Sequence, residues 1–144
     1  MGLLIDTDVW IHAEKSETAA VSLDFSPWHK YGGVFISAVT ASELLVGVER
    51  ASTPARRVKR SAFVERVLRN VPVLSFGLDV ARTHAHLLAM LTKGNTSGVQ
   101  DSQIAATALH HGHAVLTGNL ADYAIFAGLV VEAWPAQSSA QPKS

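Results

Sequence analysis

The chain contains no cysteine. That excludes a disulfide-stapled scaffold, thiolate metal sites and cysteine nucleophiles, and it suits a reducing compartment. Long hydrophobic runs are missing too: no stretch approaches the roughly 20 uninterrupted apolar residues that a membrane-crossing helix needs. The opening residues MGLLIDTDVW carry no basic region and meet an acid after three apolar residues, so no signal peptide is expected. Myristoylation at Gly2 is not expected either, because position 6 is Asp rather than Ser or Thr. Net charge is absent, with 12 basic and 12 acidic side chains, so the chain as a whole offers no electrostatic attraction to nucleic acid. The expectation is a soluble, cytoplasmic protein.

What is present is mostly core material. The 144 residues are 48% apolar and 17% charged, which favours one domain with a proper hydrophobic interior over disorder. The balanced charge is unevenly spread. Six of the twelve basic side chains (Arg56, Arg57, Lys59, Arg60, Arg66 and Arg69) fall between positions 56 and 69, with Glu65 the only acid among them. Such a cluster is either a solvated helix face or a track for phosphates.

Apolar periodicity predicts strands alternating with helices. Gly2 to Ile5, Gly33 to Ile36, Val71 to Leu74, Ala114 to Thr117 and Leu129 to Glu132 read as short buried strands. Helices are predicted over 9–15, from Ser37 through SAVTASELLVGVER, over 55–70, over 79–93 and from Asp101 to a stop at Gly112. Val39, Leu44, Leu45 and Val48 share one predicted inner face, and Val80, His84, Leu87, Leu88 and Leu91 another. Residues 94–98 read as a loop, and 135–144 as a flexible tail behind a domain ending at 134. The pattern is that of an α/β sandwich with a mainly parallel central sheet flanked by helices.

In such sheets ligands sit beyond the carboxyl ends of the strands. That places weight on Asp6 at the end of the first strand, Glu43 early in a helix, Asp101 at a helix start and Asp122 after the fourth strand. Each has an ordinary alternative. Asp8 and Asp101 can cap helices, Thr40-Ala41-Ser42-Glu43 matches a capping box, and Asp122 suits a turn. Asp6 is different, because a carboxylate straight after Leu-Leu-Ile is at least partly buried and needs a partner. Several acids converging on one pocket repel each other unless a cation neutralises them. Oxygen ligands without cysteine point to Mg²⁺ or Mn²⁺. The histidines do not compete: no HExxH occurs, and His84 and His86 cannot share a helix face.

LLIDTDVW, then SAVTASELLVGVER, then GVQDSQIAATALHHGHAVLTGNLADYAIFAGLVVEAW resembles, in order and spacing, a PIN domain of the VapC toxin type. The resemblance implies a PIN-like α/β/α fold and a metal-dependent endoribonuclease from a type II toxin–antitoxin module. It implies Asp6, Glu43 and Asp101 as metal ligands, with Mg²⁺ as cofactor and Mn²⁺ as substitute. A fourth acid is expected near 117–122, where this chain has Asn119 in place of the usual Asp, and Asp122 is the candidate to complete the site. Asp8, where Asn is common, either joins the metal site or caps the helix. Thr7, Thr117 and Asn119 are candidates for positioning substrate, and Arg56, Arg57, Lys59 and Arg60 for holding RNA. Trp10, Trp28 and Tyr31 either stack on bases or pack in the core. The resemblance also implies a cognate antitoxin partner and a homodimer; the exposed side of the 43–69 helical region is the expected groove for that partner. Two rivals stand beside this reading: an aspartyl-phosphate phosphohydrolase, short of the lysine it needs, and a non-catalytic PIN-like module that binds RNA or a partner.

Overall fold

The computed structural model describes residues 1–15, 24–91 and 98–135. Five strands form one sheet: Leu3–Ile5 (β1), Val34–Ser37 (β2), Val73–Leu74 (β3), Ala114–Thr117 (β4) and Val131–Ala133 (β5). Their order is β3-β2-β1-β4-β5, and every neighbouring pair is parallel. Six α-helices connect them: Thr7–Lys15 (α1), Ala38–Glu49 (α2), Pro54–Asn70 (α3), Leu78–Ala89 (α4), Val99–His111 (α5) and Leu120–Tyr123 (α6). A 3-10 turn, Ser26–Trp28, precedes β2.

The runs of apolar residues in the central strands are continuous because both sheet faces are covered. Strand alternation sends Leu3, Ile5, Ile36, Ala114 and Leu116 to one face, against Val9 and Trp10 of α1, Leu44 and Val48 of α2, and Val64 and Val67 of α3. Leu4 and Val115 point to the other face, against Val80 and Leu87 of α4, Ile104 to Ala106 and Ala108 of α5, and Tyr123 of α6. Leu3, Leu4 and Ile5 are almost wholly buried, each contributing about 1.5–3 kcal/mol of apolar transfer. Small residues let α5 press against both the sheet and α4, and Gly112 ends it in the left-handed region at φ 69°.

Several boundaries differ from the sequence expectation. Helix α1 starts at Thr7 rather than Val9, and α5 at Val99 rather than Asp101, with Gly98 in the cap position. The capping box is displaced as well. Ser37, not Thr40, caps α2 and accepts from the Thr40 N–H, so Glu43 lies beyond the first turn and does not serve the helix start. Leu45 and Leu88, assigned to inner faces, are exposed at 39% and 41%, because the buried stripe on each helix is narrower than periodicity suggested. Trp10 and Trp28 are core residues at 2% and 6% exposure, which removes them as base-stacking platforms. The predicted loop and tail lie outside the described residues, apart from Gly98 and Pro135.

Candidate active site

Connections leave β1 toward β2 on one side, while β4 lies against β1 on the other. The divergence opens a crevice at the carboxyl ends of these two strands, where open parallel sheets bind ligands. Asp6 sits there because it follows the last residue of β1, and it is only 6% exposed. Its Oδ1 accepts from the Thr7 N–H at 2.8 Å, and its Oδ2 accepts from the Thr117 hydroxyl at 2.8 Å. Thr117, the last residue of β4, is wholly buried. A buried carboxylate costs several kcal/mol unless it is paired or hydrogen-bonded, and these donors supply part of the compensation.

Glu43 arrives from α2. The Thr7 hydroxyl donates to its Oε1 at 2.5 Å and lies 2.9 Å from the Thr40 hydroxyl, which in turn meets Ser37. Thr7 and Thr117, candidates for positioning substrate, are both buried, with their hydroxyls on the Glu43 and Asp6 carboxylates.

Asp101 lies in the first turn of α5, facing the same crevice. Burial pushes its carboxyl up to about 6, and the charges of Asp6, Asp122 and Glu43 push the same way. That shift registers four acids from four separate elements as electrostatic neighbours. Asp122 stands in α6, exposed, with its Oδ2 accepting from the Asn119 side-chain amide at 2.7 Å. Asn119, in the position where an acid was expected, therefore tethers an acid three residues on. Its own N–H donates to the Thr117 hydroxyl at 3.0 Å.

Asp8 does not cap α1. Its Oδ2 accepts from the Gly118 N–H at 3.0 Å, tying the start of α1 to the end of β4. A Cβ at position 118 would stand 2.7 Å from that oxygen, so glycine is what permits the approach. Asp8 is pushed up to about 6, first by partial burial and then by Asp6.

One member of the site escaped the sequence reading. Tyr123, almost fully buried, has its hydroxyl 3.4 Å from Asp101 Oδ1. Burial and the charges of Asp6 and Asp101 hold the phenol far above its ordinary range, so it remains a proton donor to the acids. Nothing in the local sequence marks it, because the short helix that aims it inward has no periodicity to read.

The basic cluster divides. Arg57 pairs with Glu49 on the outer side of the α2–α3 hairpin. Arg60 reaches inward: its Nη1 donates to Gly47 O at 2.9 Å, and its Nε lies 3.1 Å from Glu14 Oε1. Arg56 Nη1 donates to Ser52 Oγ at 3.0 Å. Arg56, Lys59 and Arg60, with Glu14 and Lys15, line a cavity of about 290 Å³. Tyr31 is half-buried and donates to Glu132 at 2.5 Å.

A family model described as "PIN domain" matches residues 3–123. Ribonuclease VapC1 of Rickettsia felis is 37% identical over 132 residues, covering 91% of this chain and 95% of the relative. Among solved structures, VapBC2 of Rickettsia felis bound to a DNA fragment from its promoter superposes with TM-score 0.81 at 19% identity, covering 93% of this chain and 99% of the other. DNA-bound VapBC of Salmonella typhimurium gives TM-score 0.79 at 26% identity over 93% of this chain and 98% of its counterpart. With the PIN model spanning most of the chain and a VapC ribonuclease aligned almost end to end, the chain belongs to the PIN-domain family and falls among its VapC ribonucleases.

Proposed function

We propose that the chain is the toxic component of a type II toxin–antitoxin module: an endoribonuclease that works with Mg²⁺, or Mn²⁺ in its place, and is held inactive by a cognate antitoxin. Asp6, Glu43 and Asp101 are the metal ligands in this reading, and Asp122 completes the acidic site. The observation that carries it is Asp6 at the end of β1, held by the Thr7 N–H and the Thr117 hydroxyl, with Glu43 on the Thr7 hydroxyl and Asp101 close enough for its carboxyl to be pushed up by burial and by these acids. A fold that gathers like charges at such cost provides a seat for a cation.

The donor set fits a hard divalent ion, since every candidate ligand is a carboxylate oxygen. Among the described residues no three acids form a ready-made cage. Mg²⁺ does not require one, because it keeps several of its waters and takes one or two carboxylates plus substrate phosphate. When bound, such an ion supplies an acidified water and a counter-charge for the scissile phosphate. The chain's own work is orientation. Thr117 and the Thr7 N–H fix Asp6, and the Thr7 hydroxyl fixes Glu43, as hydrogen-bonded outer partners fix ligating carboxylates in metal sites. Asp122 is exposed and tethered only by Asn119, so it is the acid placed to take the proton of the attacking water as general base.

The antitoxin is proposed to seat on the exposed apolar side of α2. Leu45, Val46 and Val73 are each about 40% exposed and, with Ala38 and Ala41, border a cavity of about 600 Å³. An amphipathic helix laid in an apolar groove is a known recognition mode, and this groove flanks the helix that carries Glu43. A homodimer and a cytoplasmic setting belong to the same reading. Among the described residues no helix is long and apolar enough to cross a membrane.

The test is cleavage of total cellular RNA by the purified chain, with Mg²⁺ or Mn²⁺ and with EDTA, beside Asp6→Ala. Discrete fragments that vanish with EDTA and with the variant are expected. Absence of cleavage by folded, antitoxin-free protein would move the assignment to the non-catalytic module.

A further inference from the structure

Outside the acidic crevice, the cavity between the end of α1 and the first turns of α3 concentrates charge that the rest of the molecule does not explain. Among the described residues, Lys15, Arg56, Lys59 and Arg60 line it beside Glu14, four basic side chains to one acid in a chain whose formal net charge is zero. Three separate segments hold its floor in place. Arg60 is anchored to Gly47 O of α2 and to Glu14 of α1, its Nε enclosed, while Arg56 is held back against Ser52. The pocket is thus built by the packing of α1, α2 and α3 rather than by loose surface chains. At about 290 Å³ it admits a phosphate group with several waters, each taking ~30 Å³.

Its distance from the acids is set by helix geometry. Glu14 is seven residues beyond Thr7 on α1, and Gly47 is four beyond Glu43 on α2. At 1.5 Å per residue the pocket lies ~10 Å from the carboxylates along α1 and ~6 Å along α2. That spacing is short enough for one RNA strand to span both places, with its scissile bond at the carboxylates and another phosphate in the pocket.

We infer that this pocket is a backbone subsite for the RNA strand, holding a phosphate other than the one at the bond that is cut. The inference rests on the ribonuclease reading and deepens it. It draws Lys15 and Glu14 into the substrate path and leaves out Arg57, which pairs with Glu49 and does not line the pocket. Glu14 has a specific part: it neutralises Arg60 before a phosphate arrives and competes with that phosphate for it. Holding a remote phosphate supplies affinity and register without reading sequence.

The experiment uses the full chain and two synthetic RNAs, a single-stranded dodecamer and a dinucleotide with one phosphodiester. The triple variant Lys15→Gln/Arg56→Gln/Lys59→Gln leaves the structural Arg60 in place, and Arg66→Gln/Arg69→Gln on the same helix is the control. The triple variant should raise KM for the dodecamer about tenfold with kcat held. The slope of log binding constant against log salt should become shallower by about 0.7 for each phosphate that the protein no longer neutralises. Cleavage of the dinucleotide, too short to reach the pocket, should be unchanged, and the control should behave as wild type. Glu14→Gln should act in the opposite direction, tightening dodecamer binding and steepening the slope. Wild-type KM and salt slope in the triple variant, or an equal loss in the control, would overturn the subsite while leaving the ribonuclease reading intact. Failure of the folded wild type to bind or cut either RNA would instead overturn that reading, and the subsite with it.

Discussion

In the metal-free protein, Asp101→Asn should stabilise the fold, and should do so more strongly as pH rises. The folded carboxyl titrates at about 6 against an ordinary value of 3.8. A folded pKa above the unfolded one means that the folded state holds the proton over a range in which the unfolded chain has released it. Stability from this group is therefore full below about 3.8, falls as pH rises, and is fully lost above about 6. A shift of about two units corresponds to about 3 kcal/mol. Asp101 is partly open to water, so screening brings the expected penalty to about 1–2 kcal/mol. Asparagine keeps the shape and removes the charge. The measurement is urea unfolding of wild type and variant in EDTA, at about pH 4.5 and about pH 7.5. The variant's advantage should grow by roughly 1 kcal/mol between the two, and added Mg²⁺ should raise the stability of wild type but not of the variant. A variant less stable than wild type at about pH 7.5, or an advantage that ignores pH, would refute the argument that burial and neighbouring acids disfavour the charged form of Asp101.

Other perturbations separate orientation from charge. Thr117→Val removes the hydroxyl from buried Asp6 and should cost about 1.5–3 kcal/mol in denaturant unfolding, the usual range for a hydrogen bond to a charged group, and should weaken Mg²⁺ binding by calorimetry. Gly118→Ala sets a methyl against the end of the Asp8 side chain, which must turn away and lose its bond to the Gly118 N–H, at a cost of about 0.5–1 kcal/mol in unfolding. In the Asp8→Ala background that cost should largely disappear, because the methyl then has no carboxylate to meet. Tyr123→Phe keeps the buried ring and removes only the donor facing Asp101. It should change stability by about 1 kcal/mol or less while lowering kcat on RNA, and an unchanged rate would remove Tyr123 from the site.

The sequence showed the sheet because burial on both faces turns each central strand into an uninterrupted apolar run, which LLID, GVFI and AVLT display. It showed Asp6 for the same reason: an acid directly after such a run has nowhere to go but a strand end. What stayed hidden depended on packing between distant segments. Ser37 rather than Thr40 caps α2, which frees Glu43 from the capping role that the local pattern suggested. Asp8 looked like a cap as well, and only the β1–β4 pairing brings Gly118 within its reach. Leu45 and Leu88 fit a helical stripe by period, yet which flank of that stripe is covered depends on neighbours that the period does not name. Tyr123 is legible only once α6 has aimed it.

The manner in which the acids are satisfied bears on the proposed function. Asp6, Glu43, Asp101, Asp8 and Asp122 are met by neutral donors: threonine and tyrosine hydroxyls, backbone N–H groups and one amide. The described ion pairs go instead to Glu14, Glu49, Asp79 and Glu132. Neutral donors fix where a carboxylate points without cancelling its charge, so orientation is settled while the negative potential of the crevice survives. An arginine or lysine in the same place would stabilise the metal-free fold and spoil the seat for a cation. Burial first, and then the neighbouring acids, push the Asp8 and Asp101 carboxyls up to about 6, the direction expected where acids are gathered without a counter-charge. On this argument a lysine introduced at Asn119, beside Asp122 and Thr117, should stabilise the protein and abolish metal-dependent cleavage together.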